Sequence, residues 1–290
     1  MRPSGAGSCG WSPRPVRPAG SARLSARAPT SRLLDLEHSV PAGGKDRARA
    51  AAVGRLARDG ENTGREAAVL GVRVNAPCTL PGVKDLVALA EHGLRPTVLL
   101  VPKVESARDV ELVAQITGGD GEQRRVWALI ETPRGIRNLD AILASDALAG
   151  VAFGAADYAA AGGGARSSRA LWYPRSVLAT GAAAGLPALD SPGFDLTGGA
   201  ELRAEAEEAA EPGFTGKVAV HPRQIPVIRE AFRPSAAVLA QARAVIAAAG
   251  ARGGGVTEVG GQMVGPPLVA AARALTARAA PIPSVSGGAS

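Results

Sequence analysis

Two carboxylates, Glu131 and Asp157, each stand just past a short apolar run. Val126 to Ile130 leads into Glu131, and Val151 to Phe153 leads through Gly154-Ala155-Ala156 into Asp157. Two hard oxygen donors with no basic residue directly beside either suit a single divalent cation such as Mg²⁺. The same positions also suit acids that cap the helices following each run, and spacing alone leaves both readings open.

The elements that must position this pair are legible around it. A helix-length segment separates the two runs, so Val126 to Tyr158 reads as strand, helix, strand, with both strands parallel. In a barrel of parallel strands the C-terminal strand ends form the catalytic face. The unit recurs along the chain. Arg32 to Val40 is a short strand ending in Asp35 and Glu37, followed by a helix from Lys45 to Leu56. Gly71 to Asn75 is a strand with a helix through Leu86–His92 behind it, and Thr97 to Lys103 is a strand ending in lysine before a helix at Ser106–Ile116. After the central unit come a helix (Leu171–Ala184), a strand ending in Asp190, an acidic helix (Glu201–Ala210) and a last strand, Lys217 to Pro222, stopped by its proline. This predicts seven strand–helix units where a closed (β/α)8 barrel has eight. The fold class is therefore α/β, a TIM (β/α)8-type barrel without a visible first strand. Its expected layout is an Arg/Pro/Ser-rich leader at 1–31, the barrel at 32–232, a helical extension at 233–280 and a tail at 281–290.

Composition narrows the class further. The chain has 290 residues, 46% hydrophobic and 20% charged, with no run of about 20 apolar residues that would span a bilayer. Of the net charge of +7, six units come from Arg2, Arg14, Arg17, Arg23, Arg27 and Arg32 in an opening stretch free of Asp and Glu. The remainder is close to neutral, so the charge gives no case for nucleic-acid binding. That opening stretch reads as disordered, with the composition of an organellar transit peptide or of a misassigned start. Cys9 and Cys78 form no disulfide framework or metal spacing, which fits a reducing cytoplasm. His38, His92 and the acidic run Glu205–Glu211 read as surface features.

Eight blocks in order carry a resemblance: LLDLEHSV with Lys45 and Arg49 behind it, VRVN, LLVPKVESARDV, ALIETPRGIRN, VAFGAADY, ALDSP, GFTGKVAVHPRQI and GGQMVGPPL. Together, over about residues 32–278, they resemble the CoA-ester lyases related to the citrate lyase β subunit and malyl-CoA lyase, within the HpcH/HpaI aldolase superfamily. The resemblance implies a trimeric or hexameric TIM barrel that cleaves or forms a carbon–carbon bond beside a thioester carbonyl, using Mg²⁺. It implies Glu131 and Asp157 as metal ligands and Arg73 as the arginine that contacts substrate oxygens. Glu37 and Asp35 would assist catalysis, and Glu131, Asn75, Pro102, Lys103, His221 and Gln224 would contact the CoA thioester. Asp190 is a further candidate for holding metal-bound water or Arg73.

The chemistry suits these residue types. Retro-Claisen cleavage of a 3-hydroxyacyl thioester leaves an enolate on one fragment and a keto acid as the other, and a chelated cation stabilises the oxygen charge. Arginine offers a planar, permanently charged donor set for a carboxylate or enolate oxygen. Three departures from the family stand out: the unseen first strand, His38 where an aspartate is usual, and Gly265 where the family carries a proton-handling aspartate. They keep two alternatives open, a catalytically impaired paralogue that binds CoA esters or an active partner subunit, and a thioester hydrolase on the same metal site.

Overall fold

The computed structural model describes residues 32–61, 70–118, 125–183, 185–196, 199–251 and 256–279; the leader and tail expected at the two ends lie outside them. Seven parallel strands form one sheet in sequence order: β1 (Arg32–Asp35), β2 (Leu70–Arg73), β3 (Val98–Val101), β4 (Val126–Ile130), β5 (Leu148–Phe153), β6 (Ala188–Asp190) and β7 (Gly216–Lys217). The sheet curls into a half-barrel, the TIM-like α/β fold expected. Among the described residues no strand pairs with the outer edge of β1 or β7.

Helices connect the strands: α1 (Lys45–Glu61), α2 (Leu80–Glu91), α3 (Ala107–Gly118), α4 (Pro133–Arg137), α5 (Leu139–Leu143), α6 (Ala155–Gly162), α7 (Ser168–Ala182) and α8 (Ala200–Ala210). Thr79 and Thr132 explain two of the sharp strand-to-helix turns. Each side-chain oxygen accepts the N–H three residues on, from Gly82 and Gly135, and each is followed by a proline in the first turn.

Alternation along the strands sorts the core into two layers. Val101, Ala128, Ile130, Val151 and Phe153 point outward to the helices, in the larger cluster. Leu100, Trp127, Leu129 and Ala152 form a smaller cluster on the inner face, with Leu189 packed against it. Two glycines let this inner face close. A Cβ on Gly150 would stand 2.7 Å from the Trp127 ring, and one on Gly71 would stand 2.7 Å from Leu33 and from the Val98 carbonyl oxygen.

The last strand is shorter than the sequence suggests. Lys-Val-Ala-Val has strand character, but only Gly216–Lys217 pairs with β6, followed by a single bond from the Val218 N–H to the Asp190 carbonyl at 3.0 Å. Beyond it the N–H groups of Val220 and His221 turn to the Gln224 side chain instead of a neighbouring strand. The chain then forms α9 (Gln224–Ala231), α10 (Ala236–Ala251), a hairpin of β8 (Thr257–Val259) and β9 (Gln262–Val264), and α11 (Pro266–Ala279). The hairpin was not anticipated. Gly260 and Gly261 both have positive φ, 58° and 79°, as a two-residue hairpin turn requires. Ala242, Val245, Val264 and Ala272 give this C-terminal part a core cluster of its own.

Candidate active site

Glu131 continues the inner row of β4, two residues beyond Leu129, so the pleat that points Trp127 and Leu129 inward also points its carboxylate inward. It is 1% exposed. Gly154 opposite leaves room for it, since a Cβ there would stand 2.5 Å from both Cβ and Oε2 of Glu131. Asp157 lies in the first turn of α6, directly after β5. Neighbouring strands thus deliver both acids to the C-terminal end of the sheet.

Between them lies Lys103. Its Nζ is 3.0 Å from Asp157 Oδ1, 3.1 Å from Glu37 Oε1 and 3.4 Å from Glu131 Oε1. Its backbone N–H also donates to Glu131 Oε1 at 3.0 Å. Lys103 has φ 53°, the one positive value outside glycine among the described residues. Left-handed backbone at a lysine is uncommon and tends to gather at functional sites.

Arg73 forms the other side. Asp35 takes two parallel hydrogen bonds from it, Nε to Oδ1 at 2.8 Å and Nη2 to Oδ2 at 2.7 Å, while Arg73 Nη1 lies 3.3 Å from Glu37 Oε2. Asp35 also accepts the backbone N–H groups of Glu37 and Ser39. Burial alone would push Asp35 up, but Arg73, Ser39 and the Glu37 N–H outweigh it and hold the carboxyl far below its usual range. Lys45 fixes the same loop from beneath, donating to the carbonyls of Leu36 and Glu37 at 2.7 and 2.6 Å.

The electrostatics of the centre are uneven. Burial, with Asp157 and Glu37 close by, pushes Glu131 up to about 7 against the opposing pull of Lys103. For Asp157, burial raises while the Lys103 ammonium and the His38 hydrogen bond lower, and the lowering wins. Burial disfavours the Lys103 ammonium, yet Glu131, Asp157 and Glu37 raise it well above its ordinary value. Glu37 Oε2 is buried and takes no hydrogen bond.

The structure distributes the remaining candidates differently. Asn75 is buried and tied through its backbone N–H and Nδ2 to Asp85 Oδ2, at 2.9 and 2.7 Å, and Arg49 Nε holds the other oxygen of Asp85 at 2.7 Å. Pro102 is buried beside Lys103. Gln224 is 0% exposed, and its carboxamide is fully taken up by the loops. Its Oε1 accepts from Val220 and His221, and its Nε2 donates to the carbonyls of Gly193 and Asp195. Gln224 is therefore a loop anchor where a substrate contact was expected. His221 Nδ1 accepts the Arg223 N–H at 3.1 Å. Asp190 faces outward to Arg175 and Lys217, away from Arg73.

Sequence reasoning read the His38 side chain as a surface feature, noting only that it stands where the family usually has an aspartate. It is exposed, but its Nε2 stands 3.1 Å from Asp157 Oδ2. Its place directly after Glu37, in the loop that follows β1, was the available signal. The run Glu205–Glu211 is likewise more than surface, since Glu205 and Glu208 reach Lys217 and Arg175.

The residue types suit a hard divalent ion: three carboxylates, one with a buried oxygen that takes no hydrogen bond, and a glycine cradle under Glu131. As the side chains stand they converge on the Lys103 ammonium, and among the described residues no three His, Cys, Asp or Glu side chains meet at one coordination point.

A parallel half-barrel with an acidic centre at its C-terminal strand ends defines a TIM-type α/β enzyme. The profile of HpcH/HpaI aldolase/citrate lyase matches residues 21–222. The citrate lyase subunit beta-like protein of Mycobacterium tuberculosis is 37% identical over 279 residues, covering 93% of this chain and 95% of its own. The L-malyl-CoA/beta-methylmalyl-CoA lyase of Cereibacter sphaeroides is 32% identical, covering 86% of each chain. Among solved structures, protein CitE from M. tuberculosis in complex with magnesium, acetoacetate and coenzyme A superposes with a TM-score of 0.70 at 37% identity, covering 85% of this chain and 88% of that one. The chain belongs to the HpcH/HpaI aldolase/citrate lyase family, a family of carbon–carbon lyases. No helix among the described residues is long and apolar enough to cross a membrane.

Proposed function

We propose that the chain is a Mg²⁺-dependent CoA-ester lyase that cleaves or forms the carbon–carbon bond of a 3-hydroxyacyl-CoA of the citryl, malyl or citramalyl type. The observation that carries this reading is the convergence of Glu37, Glu131 and Asp157 on one cation, with Arg73 alongside, at the C-terminal end of the sheet. The metal-bound and CoA-bound CitE structure supports it.

Glu131 and Asp157 would hold the ion. When bound, Mg²⁺ supplies Lewis-acid stabilisation of charge on the substrate oxygens. Lys103 is 35% exposed on a flexible stem, so its ammonium can retreat to solvent as the dication takes over its carboxylates. Arg73 is clamped by Asp35 through Nε and Nη2, which fixes the guanidinium plane. Its remaining N–H groups are then preorganised to donate to the oxygen on which enolate charge gathers. Gly154 keeps Glu131 in place by leaving its space clear.

The test is release of acetyl-CoA or propionyl-CoA from a panel of 3-hydroxyacyl-CoA esters, with Mg²⁺ and with EDTA, alongside Asp157→Ala. Metal-dependent release lost in the variant is the expected result. Free CoA with the acyl chain intact would instead make the chain a thioester hydrolase. No turnover from a folded, metal-binding protein would make it the impaired paralogue, a reading favoured by Gly265, which brings no side chain to the start of α11.

A further inference from the structure

Asp157 reaches the acidic centre from the first turn of α6, so its position depends on how that helix begins. The first N–H groups of an α-helix have no partner within the helix, and the side chain just before it commonly accepts from one of them. Here that residue is Gly154, which has no side chain to offer. Its identity is set from the other direction, since a Cβ at Gly154 would stand 2.5 Å from both Cβ and Oε2 of Glu131. The space that Glu131 occupies thus removes the cap from the helix that carries Asp157.

A residue at the next strand end fills the gap. Ser191 directly follows β6 and is 5% exposed. Its Oγ accepts the Ala155 N–H at 2.8 Å, 36 positions away, and donates to the Phe153 carbonyl at 2.9 Å. One hydroxyl therefore bridges the last residue of β5 and the first of α6, across Gly154. The Phe153 carbonyl lies one residue past the last β5–β6 pair, Ala152 with Leu189, where the ladder between these strands has ended. Ser191 is itself held in place, because Arg175 and Lys217 grip the preceding Asp190 at 3.0 and 2.8 Å.

We propose that Ser191 is a positioning residue for Asp157: it caps α6 from the neighbouring strand and fixes the helix start that aims the carboxylate at the centre. Its two bonds run to backbone, so it acts through the turn at 153–155. This rests on the lyase reading, in which Asp157 serves the reaction.

The experiment compares full-length wild type with Ser191→Ala and with Thr215→Ala. The latter is a control that removes another hydroxyl bond to a strand carbonyl, Thr215 Oγ1 to Ala188 at 2.9 Å. Each is measured for steady-state kinetics on the 3-hydroxyacyl-CoA panel with Mg²⁺, and for amide hydrogen exchange residue by residue. In Ser191→Ala, kcat should fall at least about tenfold with KM within about threefold of wild type. Exchange at Ala155 and through the first turn of α6 should speed up at least about tenfold, while β4 and β5 keep their rates. Thr215→Ala should keep kcat within about twofold. An unchanged kcat in Ser191→Ala would overturn the proposal, as would exchange accelerated equally across the whole sheet. A matching kcat loss in Thr215→Ala would also overturn it, by reducing the effect to general stability. If the wild type cleaves no ester, the lyase reading fails by itself and exchange judges the cap: unchanged protection at Ala155 overturns it, and selective loss there upholds it.

Discussion

Two clusters of buried charge lie at the C-terminal ends of the strands, one around Lys103 and the other around Asp190. In the second, every atom is matched. Arg175 bonds both oxygens of Asp190, at 3.0 and 3.1 Å, and Lys217 adds a third bond to Oδ2 at 2.8 Å. Glu208 and Glu205 balance the two cations from α8. This cluster ties α7, β6, β7 and α8 together. The cluster at Lys103 has opposite properties: a buried Glu37 oxygen that faces Arg73 but takes no hydrogen bond, a Glu131 carboxyl pushed up to about 7, and left-handed backbone at its central cation. A matched buried cluster fastens elements to one another. An unmatched one, held in place by the surrounding fold, is set up to receive a ligand.

Removing an acid should therefore have opposite consequences in the two places. Asp190→Ala strands Arg175 and Lys217 in the interior and is expected to cost about 3–5 kcal/mol, read from the denaturant midpoint. Glu131→Gln preserves volume and mimics the protonated acid, so below about pH 5 its stability should stay within about 1 kcal/mol of wild type, while turnover falls at least about a hundredfold. A matching stability loss at Glu131 would dissolve the contrast.

The pH dependence sharpens it. The folded protein raises Glu131 from 4.5 to about 7, so the native state favours the protonated acid. That contribution is fully present below about pH 4.5 and is lost as pH rises through about 7. In EDTA, urea midpoints of wild type should fall across this window relative to Glu131→Gln, with the gap widening as pH rises. A constant gap would show that Glu131 ionises freely.

The sequence could not separate these clusters, because Glu131 and Asp190 share one local signature, an acid at the end of a short apolar strand. Their difference is one of pleat: Glu131 falls on the inner row with Trp127 and Leu129, Asp190 on the outer row opposite Leu189. Both rows are apolar, so alternation alone did not reveal which faced the barrel interior. The seven strands were legible as short runs with apolar character, each ending in a polar residue. Arg73 and Glu131 were legible as members of ordered blocks. The His38–Asp157 contact was not, because the two lie 119 positions apart and only the curl of the sheet brings them together. The end of β7 was misread for a related reason: strand character beyond Val218 needs a neighbour to pair with, and Gln224 takes the N–H groups of Val220 and His221 instead.

A smaller perturbation probes the unmatched cluster through its backbone. Gly154→Ala places a methyl against Glu131 without touching any charge. It should cost about 1–3 kcal/mol through overpacking and lower turnover on the order of a hundredfold by moving the carboxylate about 1 Å. Normal turnover with unchanged stability would mean that Glu131 has slack, and the cradle would lose its place in the argument.

The smallest effect tests the rim of the matched cluster. Glu205 Oε2 is 3.4 Å from Lys217 Nζ, and its side chain is 37% exposed, so water and salt screen the pair. Lys217 keeps its 2.8 Å bond to Asp190 whether or not Glu205 is charged. Glu205→Gln should then cost less than about 1 kcal/mol, shrink further at high salt, and leave turnover unchanged. Thermal denaturation at low and high salt, beside Asp190→Ala, measures the ratio. If Glu205→Gln approached the cost of Asp190→Ala, the Asp190 cluster would be a cooperative network whose members cannot be weighed singly. Its stability would then depend on the surface acids of α8 as much as on the buried carboxylate.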